Sequence, residues 1–306
     1  MHRNRKRRCL LKFAAGAALL TGSLARESQA GALAMSPDQT MRKLGFDAYT
    51  FDDDSYRHLV YVKGTGPSVI VMHELPGFDE HTVHFLDRLT AAGFRVHAPH
   101  LFGAPMWSDS TLNYARLCIS KEFAYLKSNR SAPVCDWLRG LARSVSADNA
   151  DGRVGVIGMC LTGAFVIPMV IEPGVRAAVI SQPAIPTSPA YILTGSGEGE
   201  WMRDMNVSDA DLEAATRRCA ADNVPLIVQR FKNDRVSPHA RVVRIAEAFG
   251  NNATLYEYDN PGPKPHPHAL LTYEYDAAED VATNPTRVAL ERVTVFLREN
   301  LLARTA

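Results

Sequence analysis

Apolar and polar positions along this chain follow two spacings, one typical of strands and one typical of helices. Short runs rich in Val, Ile and Leu predict strands, most of them buried on both faces of a sheet. Strands are predicted at 46–51, 58–63, 68–73, 94–98, 154–158, 175–180, 225–231 and 254–258. Helical spacing predicts helices at 79–92, 111–127, 133–145, 209–221, 237–249 and 285–302, and an apolar run after residue 163 predicts a further buried helix.

The order of these elements predicts an α/β protein. Strands that alternate with helices form a mainly parallel sheet with helices on both faces, because each helix returns the chain to start the next parallel strand. The first two strands are expected to form a hairpin at one edge of the sheet. Residues 186–206, which begin in a Pro-, Gly- and Ser-rich stretch, are expected to cover the functional site as a cap or lid.

Residues 1–40 are expected to lie outside the fold as a targeting-like or disordered extension, which leaves 41–306 as a single domain. Residues 1–30 contain seven Lys or Arg and one acidic residue, and K-R-R-C-L-L-K at 6–12 resembles a twin-arginine export motif. An apolar segment and a small-residue cleavage site follow it. These features favour export to the periplasm, and a cytoplasmic protein translated from a later methionine is the alternative.

Composition argues against several classes of function. The net charge of +1 at pH 7 does not fit a general nucleic-acid binder, and 46% hydrophobic residues are typical of a globular protein with one large core. No stretch of about 18 uninterrupted apolar residues occurs, so we expect no membrane span. The sequence leaves open whether the chain is a monomer or a dimer.

Cys160 is the candidate nucleophile. It stands in G-M-C-L-T-G at 158–163, where a strand turns sharply into a helix, and such a turn exposes its apex side chain at the carboxyl end of the sheet. A helix amino terminus behind the sulfur favours a thiolate, and Gly158 and Gly163 are expected to make room for the turn. The alternative is an inert buried cysteine.

Two later strands supply partners for such a nucleophile. The seventh predicted strand is followed by Asp234, and the eighth by His266 and His268. The carboxyl ends of parallel strands meet at one edge of the sheet, so a carboxylate and an imidazole there can reach Cys160, as nucleophilic catalysis requires. Either histidine could be the base, and Asp234 could instead only order its turn. Because nucleophile, acid and histidine follow the chain order of α/β-hydrolases, we predict an α/β-hydrolase fold.

No metal or other cofactor is expected. The His266 and His268 pair has the His-x-His spacing that sometimes binds metal, but no third ligand of suitable spacing is evident. The cysteines beyond the extension other than Cys160 are Cys118, Cys135 and Cys219. They form no close pair and no CxxC motif, which argues against a zinc site and a disulfide framework.

Four segments carry a resemblance to a known family. They are V-M-H-E-L-P-G at 71–77, G-M-C-L-T-G-A-F at 158–165, F-K-N-D-R-V-S-P at 231–238 and H-A-L-L-T at 268–272. In this order they resemble the dienelactone hydrolase family, the cysteine branch of the α/β-hydrolases, and the resemblance covers most of the predicted domain. It implies hydrolysis of an ester or lactone through an acyl-cysteine intermediate, without a cofactor.

The resemblance also implies roles for residues that spacing alone does not single out. Glu74 matches the family's acidic residue after the third strand, which holds the resting thiol and accepts its proton when substrate enters. The alternative for Glu74 is a hydrogen bond to nearby backbone. The backbone N–H groups of Leu75 and Leu161 match the oxyanion hole, which stabilises charge that develops on the carbonyl oxygen. His268, rather than His266, matches the family's histidine.

Departures from the family concern the substrate. Family members that act on dienelactone bind its carboxylate with arginines, at places where this chain has Ala104 and Thr272. Arg116 and Arg235 are candidate substitutes for those arginines. The resemblance therefore implies the reaction but leaves the natural substrate open.

Aromatic residues near the fourth predicted strand point to a more apolar pocket. Phe102, Trp107 and Tyr114 are its candidate members, with packing in the core as the alternative. A further departure is Thr162, which stands where the wider hydrolase pattern has glycine, so the turn at the nucleophile is expected to be slightly more crowded.

The sequence therefore predicts a hydrolase of small-molecule esters or lactones with Cys160, His268 and Asp234 as a catalytic triad. Three alternatives remain. They are a general carboxylesterase or thioesterase that acts on another acid, a homologue that binds ligand without turnover, and a thiol that senses oxidants. The last needs a resolving cysteine near Cys160, and the spacing of the cysteines indicates none.

Overall fold

The computed structural model describes residues 37–106, 131–185, 199–260 and 262–302. The strands in these residues are β1 Asp47–Asp52, β2 Arg57–Lys63, β3 Ser68–Met72, β4 Arg95–Pro99, β5 Val154–Met159, β6 Val175–Ser181, β7 Leu226–Phe231 and β8 Ala253–Tyr258. The α-helices are α1 Pro37–Lys43, α2 Glu80–Ala91, α3 Val134–Ala147, α4 Val166–Met169, α5 Glu200–Arg203, α6 Asp209–Asp222, α7 His239–Phe249, α8 Tyr273–Ala277 and α9 Pro285–Leu301. The export-like segment, the predicted helix at 111–127 and most of the predicted lid lie outside the described residues.

The strands form one sheet in the order β1-β2-β4-β3-β5-β6-β7-β8. β2 runs antiparallel to β1 and to β4, and all the remaining neighbours are parallel. The edge hairpin and the mainly parallel sheet are therefore confirmed. This order places the carboxyl ends of β3, β5, β6, β7 and β8 side by side. The predicted site residues follow these strands and therefore lie at the same end of the sheet.

Helices cover both faces of the sheet, as predicted. On β5, Val156 belongs to one apolar cluster and Ile157 to another, because successive strand side chains point to opposite faces. Side chains of α3, α4, α6 and α7 complete the first cluster, and side chains of α1, α2 and α9 complete the second. No helix in the described part of the chain is both long and apolar enough to cross a membrane.

Three short helices, α1, α5 and α8, were not predicted, and α5 lies in the segment expected to form a lid. α1 begins inside the segment assigned to the extension, and its Met41 is fully buried in the core. α8 has five residues, too few for apolar residues to reveal helical spacing. The division into an extension at 1–40 and a single domain at 41–306 stays a prediction.

The helix behind Cys160 differs from the prediction in its type. It is buried as expected, but Cys160–Phe165 form a 3₁₀ helix and the α-helix α4 spans only Val166–Met169. The helix that begins at Cys160 is therefore 3₁₀ rather than α, and its expected influence on a thiolate stays a prediction.

Candidate active site

Cys160 occupies a strained turn directly after β5. Its φ is +54°, in the left-handed region that residues with a Cβ rarely adopt, and the residue is 7% exposed. A Cβ on Gly158 would lie 2.3 Å from the Thr162 carbonyl oxygen, and one on Gly163 would lie 3.0 Å from Pro183 Cα. The predicted need for glycine is confirmed at Gly158, where a Cβ would collide with the turn itself, whereas a Cβ on Gly163 would press on the loop after β6.

Thr162 ties this turn together rather than only crowding it. Its fully buried Oγ1 accepts a hydrogen bond from the Met159 N–H at 3.0 Å and lies 2.9 Å from the Met159 carbonyl oxygen and 3.3 Å from that of Met72. One hydroxyl thus links the ends of β3 and β5. A glycine at this position could make none of these contacts.

Asp234 and His268 form a close pair at the ends of β7 and β8. His268 Nδ1–H donates to Asp234 Oδ2 at 2.7 Å, and the Asp234 side chain is fully buried. The other oxygen, Oδ1, accepts the backbone N–H groups of Val236 at 2.7 Å and Ser237 at 3.0 Å. The carboxylate therefore orders its turn and also orients the imidazole, so the two roles considered for Asp234 occur together.

His268 lies between this carboxylate and the thiol. A ring nitrogen of His268, the Cys160 Sγ and a Glu74 carboxylate oxygen all lie within 4.8 Å of one another. His268 Nε2 is buried and has no hydrogen-bond partner among the described residues. Burial lowers the pKa of His268, but the charges of Asp234 and Cys160 outweigh it and hold that pKa well above its usual value.

Glu74 follows β3 by two residues and also lies next to the thiol. It is 3% exposed, and its Oε1 accepts hydrogen bonds from Thr272 Oγ1 at 2.6 Å and Gln182 Nε2 at 3.2 Å. Burial raises the pKa of Glu74, although the charge of His268 and the Thr272 hydroxyl partly oppose this. Both donors reach the same oxygen, so the alternative of a backbone-bonded Glu74 side chain does not describe these contacts.

A chain of hydrogen-bonded buried side chains continues from Glu74 across β6, β7 and β8. Gln182 donates to Glu74 and accepts a hydrogen bond from the Ser181 hydroxyl, which in turn accepts one from Gln229 Nε2 at 3.2 Å. The Tyr258 hydroxyl donates to Gln229 Oε1 at 3.5 Å. Because each amide has a partner at both ends, the Gln182 amide is oriented with its NH₂ toward Glu74.

Thr272 and Gln182 were missed by sequence reasoning, although one of them had a usable signal. Gln182 follows β6 directly, at the same edge of the sheet as the other candidates, and its φ of +34° is unusual for a residue with a Cβ. The rule that strand ends carry chemistry could have included it. Thr272 was noted only as a departure from the family, and nothing in its spacing links it to Glu74.

His73 fixes the backbone beside Glu74. It is fully buried, its Nε2 accepts the Leu101 N–H at 3.1 Å, and its Nδ1–H donates to the Glu74 carbonyl oxygen at 3.0 Å. Burial, followed by the charge of His100, lowers the pKa of His73 to about 3, so it stays neutral. It acts as a cross-link between the loops after β3 and β4.

The predicted oxyanion-hole residues flank the thiol along the chain. Leu75 follows Glu74, and Leu161 follows Cys160 in the first turn of the 3₁₀ helix. N–H groups in the first turn of a helix have no acceptor within that helix, so the Leu161 N–H suits a developing oxyanion. The oxyanion role of both residues stays a prediction.

The predicted pocket residues are only partly described. Phe102 is 8% exposed and packs on His73 with ring centroids 4.3 Å apart, which corresponds to the alternative of core packing. Arg235 is half-buried in the loop after β7. Trp107, Tyr114 and the candidate Arg116 lie outside the described residues.

His266 and the remaining cysteines take no part in this cluster. His266 Nδ1–H donates to the Asn233 carbonyl oxygen at 3.1 Å, whereas His268 contacts Asp234. Cys135 and Cys219 are buried free thiols, and burial raises both pKa values, that of Cys219 to about 11. Both are poor candidates for a resolving thiol. Cys118 lies outside the described residues.

Comparisons with known proteins agree with this architecture. A protein from Klebsiella pneumoniae subsp. pneumoniae, provisionally named a dienelactone hydrolase, is 18% identical with a TM-score of 0.56, covering 83% of this chain and 99% of that one. An esterase from Pyrococcus furiosus is 14% identical with a TM-score of 0.54, covering 85% and 95%. A dienelactone hydrolase-like promiscuous phosphotriesterase from metagenomic libraries is 13% identical with a TM-score of 0.54, covering 82% and 97%.

These TM-scores and coverages establish a shared fold, and the predicted α/β-hydrolase fold is confirmed. A search of curated protein sequences finds no significant match. The family comparison is more specific, because the model of the dienelactone hydrolase family matches residues 57–256. This match spans well over half of the chain and includes Glu74, Cys160 and Asp234. The chain therefore belongs to the dienelactone hydrolase family and is a hydrolase.

Proposed function

We propose that this protein hydrolyses an ester or lactone bond of a small molecule through an acyl-cysteine intermediate. One observation carries the proposal: the Cys160 thiol lies within 4.8 Å of both a His268 ring nitrogen and a Glu74 carboxylate oxygen, while His268 Nδ1 lies 2.7 Å from Asp234 Oδ2. A nucleophile, a base and a group that orients the base are the three parts that such chemistry needs.

The reaction has an acylation step and a deacylation step. The Cys160 thiolate forms a bond to the carbonyl carbon, and the carbonyl electron pair moves to oxygen, where the Leu75 and Leu161 N–H groups stabilise it. The pair returns, the carbon–oxygen bond to the leaving group breaks, and the His268 imidazolium gives that oxygen its proton. A water molecule then attacks the thioester while His268 takes its proton, and cleavage of the carbon–sulfur bond returns the thiolate. Acid and alcohol are the products, or a hydroxy acid from a lactone.

Glu74 has the role of accepting the proton of the resting thiol. Burial raises the pKa of this carboxyl, which brings it closer to that of a thiol and makes the transfer less uphill. The hydrogen bonds from Thr272 and Gln182 occupy Oε1 and leave Oε2 for the thiol. The thiolate then turns toward His268, and the positive charge of the His268 imidazolium stabilises it.

A general carboxylesterase acting on acids other than dienelactone is the second candidate. Thr272, where the resemblance places a carboxylate-binding arginine, is buried and donates its hydroxyl to Glu74. That position offers no positive charge to an anionic substrate. This contact favours an ester with an uncharged acyl group, for which Phe102 and the aromatic residues after it remain candidate pocket residues.

Intact-mass spectrometry with slowly turned-over p-nitrophenyl esters tests the reaction. We expect a mass increase equal to the acyl group, mapped to the peptide that contains Cys160 and absent in Cys160→Ala. A matched panel of dienelactone and uncharged esters separates the two substrate classes by kcat/KM. Acylation of another residue, or full turnover by Cys160→Ala, would contradict the proposed nucleophile.

A further inference from the structure

A second histidine–carboxylate cluster lies on the surface, between α2 and α8. His81 and His84 are one helical turn apart on α2, and the Nδ1 of each lies against the same atom, Asp276 Oδ2 of α8, at 2.6 and 3.0 Å. The three potential ligand atoms all lie within 4.8 Å of one another. Neither the proposed reaction nor the family resemblance assigns this cluster a role.

The donors in this cluster have the chemistry of a metal site. Two imidazole nitrogens and one carboxylate oxygen are a ligand set for Zn²⁺, with solvent in the fourth position. At usual Zn–N and Zn–O lengths, tetrahedral ligand atoms lie about 3.3 Å apart, so the present contacts need to widen by less than about 1 Å. The side chains of His81 and His84 are 26% and 54% exposed, which leaves room for this movement and for solvent access.

Neighbouring residues hold the ligands in this arrangement. Arg88 Nη1 donates to the other oxygen of Asp276, Oδ1, at 2.7 Å, and the Tyr273 ring packs on His81 with centroids 4.0 Å apart. Burial raises the pKa of Asp276, but hydrogen bonds from His81, His84 and Arg88 lower it overall, so the carboxylate is ionised at neutral pH. Partners of this kind orient first ligands and raise metal affinity.

We propose that His81, His84 and Asp276 bind one Zn²⁺ ion, which joins α2 to α8. The ion binds each imidazole as its neutral Nε2–H tautomer, whose Nδ1 lone pair faces the metal, and any additional proton held between Nδ1 and Asp276 is released to solvent. No atom of the proposed catalytic cluster is a ligand, so the ion makes no contact with the reacting atoms. The sequence did not reveal this site because Asp276 stands nearly 200 residues after the histidines.

The position of α8 gives the ion a structural consequence. α8 starts immediately after the segment that carries His268 and Thr272, and Arg88 Nη2 also donates to the Leu271 carbonyl oxygen at 3.1 Å. An ion that clamps α8 to α2 therefore restrains the segment that carries the proposed base. Because zinc would bind the folded state and not the unfolded one, it would also raise the melting temperature.

Calorimetric titration of ZnCl₂ into the full chain tests the site. We use Cys160→Ala as the parent, because Cys160, His268 and Glu74 also form a group that could hold zinc. One ion per chain is expected, with a melting temperature about 5 °C higher at a free zinc concentration 100 times the dissociation constant. Adding His84→Ala should weaken binding by about 100-fold or more, because it removes a direct ligand rather than an outer partner.

The matched control is His239→Ala. His239 is another exposed helix histidine whose Nδ1 contacts a carboxylate, that of Glu257, but it has no second histidine beside it. Its loss should leave zinc affinity unchanged. Asp276→Asn is the second ligand variant, so that the test does not depend on one substitution. Failure of the parent to bind zinc, or equal affinity in the parent and both ligand variants, would overturn the proposal.

Discussion

Two histidine–carboxylate pairs in this molecule have nearly the same length and very different surroundings. His268 Nδ1 lies 2.7 Å from Asp234, and His81 Nδ1 lies 2.6 Å from Asp276. The Asp234 side chain is fully buried, whereas that of Asp276 is 16% exposed. The second oxygen of Asp234 accepts two backbone N–H groups, whereas the second oxygen of Asp276 is paired with the Arg88 guanidinium.

The two pairs differ in countercharge and burial rather than in contact distance, and these two properties decide whether the carboxylate can stabilise a charged imidazole. Neutral backbone amides orient Asp234 without cancelling its charge, and a buried charge acts with little screening by solvent. That charge is therefore available to stabilise an imidazolium at His268, whose pKa is raised well above its usual value. Asp276 shares its charge among Arg88 and two histidines at the surface, an arrangement suited to holding helices or an ion.

The largest effect is expected from removing the Cys160 thiol, which lies next to His268 of the buried pair. Cys160→Ala should lower kcat/KM by about 10⁴-fold or more, since a nucleophile removed from a triad disables it as a unit. Unfolding should stay cooperative because the residue is small. Cys219→Ala is the matched control, a buried thiol in α6 whose loss should leave kcat/KM unchanged. Equal losses in both variants would point to damaged packing instead of lost chemistry.

The next largest effect is expected at Asp234, and the same substitution at Asp276 provides a direct comparison. In Asp234→Asn, the amide oxygen can still accept the backbone N–H groups of Val236 and Ser237, but its NH₂ faces His268 Nδ1 and imposes the wrong tautomer. We expect kcat to fall by about 10³- to 10⁴-fold. Asp276→Asn, measured with EDTA present, should leave kcat unchanged. If both substitutions lowered kcat alike, the distinction between the pairs would fail.

How far the sequence predicts these pairs depends on how local their signals are. Asp234 and His268 each follow a recognisable strand, and the parallel order of the strands brings their ends together, so geometry and resemblance both pointed to the observed contact. Gly158 was also predictable, because a sharp turn has local steric requirements. The substrate was not, since pocket residues lie on loops whose paths depend on the whole fold.

The unpredicted contacts are those that join distant segments through side chains. The Thr272 hydroxyl reaches Glu74 across 198 positions, and Asp276 reaches His81 across 195. The spacing of apolar residues gives no information about a contact between side chains so far apart in the sequence. The 3₁₀ helix at Cys160 was missed for another reason: apolar spacing indicates that a segment is buried, but over six residues it does not distinguish 3₁₀ from α geometry.

A smaller effect, on both rate and stability, is expected at Glu74. The isosteric Glu74→Gln can still accept hydrogen bonds from Thr272 and Gln182 at Oε1 but cannot take a proton from the thiol, so kcat/KM should fall by about 10²-fold or more. Burial raises the pKa of Glu74 in the folded state. The wild type should therefore lose stability as pH rises from the usual carboxyl pKa through the raised one.

Glu74→Gln should not show that loss. Denaturant unfolding at pH 4 and pH 8 should find the variant gaining on the wild type by up to about 1.4 kcal/mol for each unit by which the pKa is raised. Thr272→Val is the companion variant. It removes a hydrogen bond that lowers the pKa of Glu74, so the acid limb of kcat/KM should move to higher pH. A limb that stays in place would mean that Glu74 does not govern it.

The smallest effect is expected at the partly exposed pair of His81 and Asp276. With EDTA present, His81→Ala should lower the free energy of unfolding by about 1 kcal/mol, because solvent and salt reach this pair and screen its charges. The pKa of Asp276 is lowered in the folded state, so its contribution is present at neutral pH and is lost as pH falls through the lowered pKa. Denaturant unfolding at neutral and acid pH measures both. A cost as large as that of breaking a buried pair, about 3 to 5 kcal/mol, would show that the surface pair is as shielded as Asp234 and His268 and would remove the contrast between them.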